Sequence, residues 1–140
     1  MKTSVGLYPG SFNPFTKGHY NILVKAEAIF DRVIIARGVN PEKAKATYSL
    51  PKILNDRPVI EYGGLLTDYI KSLDYDVTVI RGLRNGTDLQ YEITQYRFLQ
   101  ELMPTIKLIS IFCDKEYEHI SSSAIRYLAA FGKDKDYLFE

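Results

Sequence analysis

The chain has 140 residues, a formal net charge of +1, 46% hydrophobic and 25% charged residues, and one cysteine, Cys113. That balance suits one globular domain, 1–140, able to bury a core. It excludes a global basic field for nucleic acid, an internal disulfide and a membrane span, since no apolar run approaches ~18 residues. The first residues lack a basic-then-apolar leader pattern, and a cytoplasmic protein is expected.

Residues 3–9 read as a short strand. LYPGSFNPFTKGH, Leu7 to His19, ends it and leads into a helix, because Ile22, Leu23, Ala26 and Ile29 recur at helical spacing between Gly18 and Phe30. Pro9 and Gly10 are expected to turn the chain. Gly10 and Gly18, without Cβ atoms, are expected to let a bulky anion approach the backbone. Ser11, Asn13 and Thr16 supply short polar groups. His19 falls in the first helical turn, where unpaired N–H groups and a partial positive charge attract anions. Two readings stand side by side: a phosphate cradle, or a tight strand-to-helix turn with a capping histidine.

Asp31-Arg32 breaks the helix, and Val33 to Ala36 suits a strand covered on both faces. Strand, helix and strand make a βαβ unit, expected to be right-handed and parallel. Residues 39–58 are irregular, with Pro41, Pro51 and Pro58, the lysines Lys43 and Lys45, and at most a turn or two of helix from Tyr48 to Leu54. Val59 to Tyr62 is a strand candidate. After Gly64, the residues Leu65, Leu66, Tyr69, Ile70 and Leu73 return to helical spacing. Asp76 to Ile80 reads as a buried strand. RGLRNGTDLQYE, Arg81 to Glu92, follows as a loop with an Asn85-Gly86 turn and a Thr87 or Asp88 cap. The next helix runs to about Met103, where Pro104 stops it. Ile106 to Phe112 alternates as a strand. YEHISSSAIR, Tyr117 to Arg126, supplies serine caps for a helix reaching Gly132, and Lys133 to Glu140 is a charged tail with a short terminal turn.

Alternation of this kind predicts an α/β fold, a Rossmann-like open parallel sheet with helices on both faces. Such sheets bind ligands at the carboxyl ends of their strands. The polar stretches obey that rule: YPGSFNPFTKGH, NPEKAK, RGLRNGT and CDKEYEHISSS each follow a strand.

YPGSFNPFTKGH, RGLRNGTDLQYE and ISSSAIR together resemble the motifs of bacterial phosphopantetheine adenylyltransferases, of the nucleotidyltransferase superfamily. The match runs in order along nearly the whole chain. The resemblance implies transfer of the adenylyl group of ATP to 4′-phosphopantetheine, with Mg2+, giving dephospho-coenzyme A and pyrophosphate. It implies catalytic roles for His19, Lys43 and Arg84. On the phosphopantetheine side it implies Ser11, Lys43, Leu66 and Arg81, with Lys45 a substitute for Lys43. On the ATP side it implies Ser11, Phe12, His19, Gly82, Leu83, Arg84, Glu92 and the run Tyr117, Glu118, His119, Ile120, Ser121, Ser122 and Ser123. It further implies a homo-oligomer, a hexamer, and it names no metal ligands.

Each position has a plainer alternative. Arg81 and Arg84 suit a solvated loop, Glu92 a partner for a nearby cation, Leu66 the core, the serines simple caps, and Cys113 packing. Asn13 stands where the family carries aspartate, keeping hydrogen bonding and losing a charge. The region between Lys45 and Pro58 is shorter than the family's, and the family's last helix has no counterpart. An enzyme with another phosphorylated acceptor, and a nucleotide-binding module without turnover, are the alternative functions.

Overall fold

The computed structural model describes residues 3–39 and 48–139. Five parallel strands, β1 (Val5–Gly10), β2 (Arg32–Val39), β3 (Val59–Gly63), β4 (Thr78–Leu83) and β5 (Leu108–Phe112), lie in the order β3-β2-β1-β4-β5. The helices are α1 (Lys17–Glu27), α2 (Leu66–Lys71), α3 (Gly86–Leu102) and α4 (Ser122–Ala129), with 3-10 turns at Lys52–Leu54, Lys115–Tyr117 and Lys135–Tyr137. This is the expected doubly covered parallel sheet, and the chain reverses direction across the sheet between β1 and β4.

Strand alternation divides the core in two. Tyr8, Val33, Ile35, Ile80 and Ile111 point to one face, where Ile22, Leu23 and Ala26 of α1 cover them. Leu7, Ile34, Ala36 and Val79 point to the other, under Ile70 of α2 and, partly buried, Tyr96 and Leu99 of α3. Burying Ile22 and Leu23 contributes on the order of 1.5–3 kcal/mol each, so packing rather than intrinsic propensity holds α1 in place.

Several boundaries differ from the sequence reading, for local reasons. Pro9 and Gly10 do not turn the chain; they complete β1, paired with Ala36 and Arg37 of β2. A proline is tolerated in this central strand because pairing of β1 with β4 covers only Gly6 and Leu7. Likewise Arg81-Gly82-Leu83 is not loop but the end of β4, paired with Ser110 to Phe112. Asn85, rather than Thr87 or Asp88, caps α3, its Oδ1 accepting from the Asp88 N–H at 3.1 Å. The region around Tyr48 to Leu54 holds one 3-10 turn.

Candidate active site

The short β1–β4 ladder opens a crevice at the carboxyl ends of the strands, where the chain reverses across the sheet. A cleft of about 200 Å³ occupies it. Its wall brings together the ends of β1 and β4, the start of α1 and the start of α4, including Phe12, His19, Arg81, Arg84, Ser121 and Ser122. Segments separated by some hundred residues of chain therefore face one space.

The first turn is built on a capping box. Thr16 caps α1, its Oγ1 accepting from the His19 N–H at 3.3 Å, while His19 Nδ1 accepts from the Thr16 N–H at 2.9 Å. A backbone N–H can only donate, so Nδ1 is the acceptor and the neutral ring carries its proton on Nε2. Burial, reinforced by the Arg84 and Arg81 charges, lowers the His19 pKa to about 4. The ring is thus neutral at physiological pH and presents an Nε2–H donor. The capping and ligand readings of His19 are one arrangement: the cap sets the tautomer that makes the ring a donor.

Phe12, before the cap, has φ of 47°. A bulky non-glycine residue in the left-handed region costs roughly 1–2 kcal/mol and persists only where its surroundings hold it. Its buried ring touches Tyr8, Phe15 and His19, each with centroids 5.2 Å away. Gly10 serves this ring rather than an anion, because a Cβ there would lie 2.9 Å from two Phe12 ring atoms.

On the opposite wall, two arginines are held side-on by carboxylates from α3. Arg81 Nε and Nη2 each donate to Glu92 at 2.8 Å, and Arg84 Nε and Nη2 each donate to Asp88 at 2.8 Å. Arg81 Nη1 also donates to the Pro9 carbonyl at 3.4 Å, and the second N–H on that nitrogen, like the outer edge of Arg84, is suited to an anion. Between them Gly82 lets α1 close in, since a Cβ there would lie 2.9 Å from Ile22 Cγ1.

The third wall is the start of α4. Ser121 caps it by accepting from the Ala124 N–H at 3.1 Å, and the Ser122 hydroxyl donates to the Pro14 carbonyl at 2.8 Å. This helix start, with its unpaired N–H groups, faces the same cleft as His19. Cys113 also lines the cleft, and burial raises the pKa of its thiol.

Of the residues singled out in the sequence, His19, Phe12, Gly82, Leu83, Arg81, Arg84, Tyr117, Ile120, Ser121 and Ser122 line the cleft. Ser11, Glu118, His119 and Ser123 are exposed and lie outside its wall. Glu92 also stands off the wall, its carboxylate engaged by Arg81. Leu66 packs half-buried against the second core cluster, away from the cleft. Lys43 and Lys45 lie outside the described residues. Sequence reading gave no site role to Tyr8 and Ile22, which line the cleft, or to Arg37, which stands outside its wall against the Ser11 and Phe12 carbonyls; a lone arginine closing the apolar run VIIAR was the available signal for the last.

For a divalent metal, the cleft offers cations and hydroxyls. Among the described residues no cluster of three His, Cys, Asp or Glu side chains exists, and the nearby carboxylates of Glu92 and Asp88 are bound to arginines. Asn13, at the position where aspartate was expected, uses its Oδ1 to accept from the Tyr48 N–H at 3.0 Å. The described residues do not form a resident metal site.

Residues 7–57 match the cytidylyltransferase-like family. In fold the chain is similar to a bifunctional NMN adenylyltransferase/ADP ribose pyrophosphatase from Francisella tularensis, with a TM-score of 0.62 and 16% identity over 98% of this chain and 44% of that one. It is also similar to a putative nicotinate-nucleotide adenylyltransferase from Vibrio parahaemolyticus, with a TM-score of 0.58 and 18% identity over 99% and 95% of the two chains. The fold is that of the Rossmann-like nucleotidyltransferases. Curated relatives are closer in sequence. The phosphopantetheine adenylyltransferase of Clostridium tetani is 34% identical over 92% of this chain and 86% of that protein. That of Porphyromonas gingivalis strain W83 is 36% identical over 100% and 97%. This chain belongs to the phosphopantetheine adenylyltransferase family.

Proposed function

We propose that the cleft transfers the adenylyl group of ATP to 4′-phosphopantetheine. The observation that carries the reading is the meeting of His19, Arg81, Arg84 and the α4 N-terminus around one space. A phosphate oxygen of the acceptor attacks the α-phosphorus, a P–O bond forms, and the bond to the departing pyrophosphate breaks. No covalent enzyme intermediate is required, so positioning and charge stabilisation supply the rate. His19 donates through Nε2–H to the α-phosphate. Arg84 and the α4 start receive the ATP phosphates, and Arg81 receives the acceptor phosphate. Lys43 is assigned to the acceptor on family resemblance.

Mg2+ belongs to the same proposal as a companion of ATP, since among the described residues no carboxylate set stands ready for it. A homo-oligomer belongs to the same proposal: α3 leaves Tyr91, Phe98 and Leu102 exposed on one flank. A cytoplasmic location fits the lone cysteine.

The test is pyrophosphate release from MgATP with a panel of phosphorylated acceptors. Dephospho-coenzyme A formed from phosphopantetheine is the expected result. Turnover only with another acceptor overturns the acceptor assignment, and no pyrophosphate with any acceptor overturns the enzymatic reading.

A further inference from the structure

We propose that Arg37 is the positioning residue of the first turn, its guanidinium holding the Ser11–Phe12 backbone, and through it the His19 ring, in the working geometry. Arg37 closes the buried run of β2 and pairs in register with Gly10, so it stands beside the turn. It is only 8% exposed. Its Nε donates to the Ser11 carbonyl at 3.1 Å, and its Nη2 donates to the Phe12 carbonyl at 3.3 Å and the Tyr48 carbonyl at 2.7 Å. Two of these acceptors belong to the left-handed Phe12 and its predecessor, so the fork grips the backbone on both sides of the strained φ.

Three observations connect that grip to the site. The Phe12 ring lies edge-on to the His19 ring at 5.2 Å, covering it. Phe12 lines the cleft itself. Asn13 adds a second tie, accepting from the Tyr48 N–H, so the first turn and Arg37 together engage both backbone groups of Tyr48. A buried cation is costly unless its donors are met, and three carbonyls fixed in this arrangement engage Nε and Nη2. Lysine cannot reproduce the fork.

If the grip is lost, Phe12 relaxes toward an ordinary φ and uncovers His19, which still faces Arg84 and Arg81. The inference rests on the adenylyl-transfer reading only for its effect on rate. The titration of His19 reads the same geometry whatever the acceptor is, so failure of one is distinguishable from failure of the other.

The experiment compares wild type, Arg37→Met and Arg37→Lys. Thermal melting measures stability, steady-state kinetics measure kcat and the KM values, and ring NMR measures the His19 titration, assigned by its loss in His19→Gln. Arg37→Met is expected to lower kcat by ~10–100-fold with a smaller change in the KM for ATP. The His19 pKa is expected to rise from about 4 toward the ordinary ~6.5. Arg37→Lys keeps the charge and is expected to move both in the same direction by less; it carries the test should Arg37→Met not fold. An unchanged His19 titration in the folded variants, with activity falling only in step with stability, overturns the proposal.

Discussion

The Thr16 N–H donates to His19 Nδ1 at 2.9 Å, and this one bond decides which side of the imidazole is a donor. The ring is neutral through burial and through two neighbouring guanidiniums, so it contributes a hydrogen bond rather than a charge. A donor aimed at developing negative charge acts mainly in the transition state. His19→Ala is therefore expected to lower kcat by at least ~10²-fold while the affinity for ATP changes less. Rapid-quench kinetics together with ATP titration by calorimetry separate the two; equal losses in both would count against the role.

The same ring links stability to pH. Its folded pKa of about 4 lies below the ordinary unfolded value of ~6.5, so the unfolded chain binds the extra proton between those limits. The contribution is fully present above pH ~6.5 and is lost as pH falls toward 4. At pH 5 the loss amounts to about 2 kcal/mol. Urea unfolding of wild type and His19→Gln at pH 5 and 7.5 measures it. The wild type should lose that much more than the variant on acidification.

Glu92 separates two readings of α3. Family resemblance gives it to ATP, whereas the structure pairs both its oxygens with Arg81 at 2.8 Å. If it acts by orienting Arg81, Glu92→Gln lowers kcat/KM by ~10-fold in the wild type and by little in an Arg81→Met background. A complete double-mutant cycle decides between them. Additive losses mean that Glu92 meets the nucleotide directly.

Gly82 sets the approach of α1 to β4. An alanine Cβ would sit 2.9 Å from Ile22 Cγ1 and 3.3 Å from its Cδ1, forcing the helix outward. Gly82→Ala is expected to cost ~1–3 kcal/mol. Ile22→Ala removes the obstacle, so adding Gly82→Ala to it should cost markedly less. Thermal melting of the four proteins gives the comparison. A full, undiminished cost in the Ile22→Ala background places the strain elsewhere.

Much of the fold was readable because hydrophobic periodicity is local. The spacing of Ile22, Leu23 and Ala26, and the unbroken run from Val33 to Ala36, each carry their own element. Element ends were less readable, because neighbouring strands decide them: Arg81 to Leu83 becomes strand through pairing with β5. At the site, sequence pattern picked out His19, Arg81, Arg84, Ser121 and Ser122, which the cleft brings together. It misjudged Gly10, whose free space belongs to a side chain two residues on, and it left Glu92 between ATP and a neighbouring cation, where the structure adds a pairing with an arginine eleven residues back.

By itself the sequence determined the alternation of strands and helices, the polar turns that follow the strands, and the chemical inventory those turns bring. Periodicity and turn chemistry act over a few residues, so they can be read along the chain. Only the tertiary structure decided that β1 and β4 part after Leu7, that Arg37 grips the Phe12 backbone, and that the imidazole is neutral with its proton on Nε2. Those outcomes depend on distances between residues remote in sequence and on water being shut out, which no local pattern encodes.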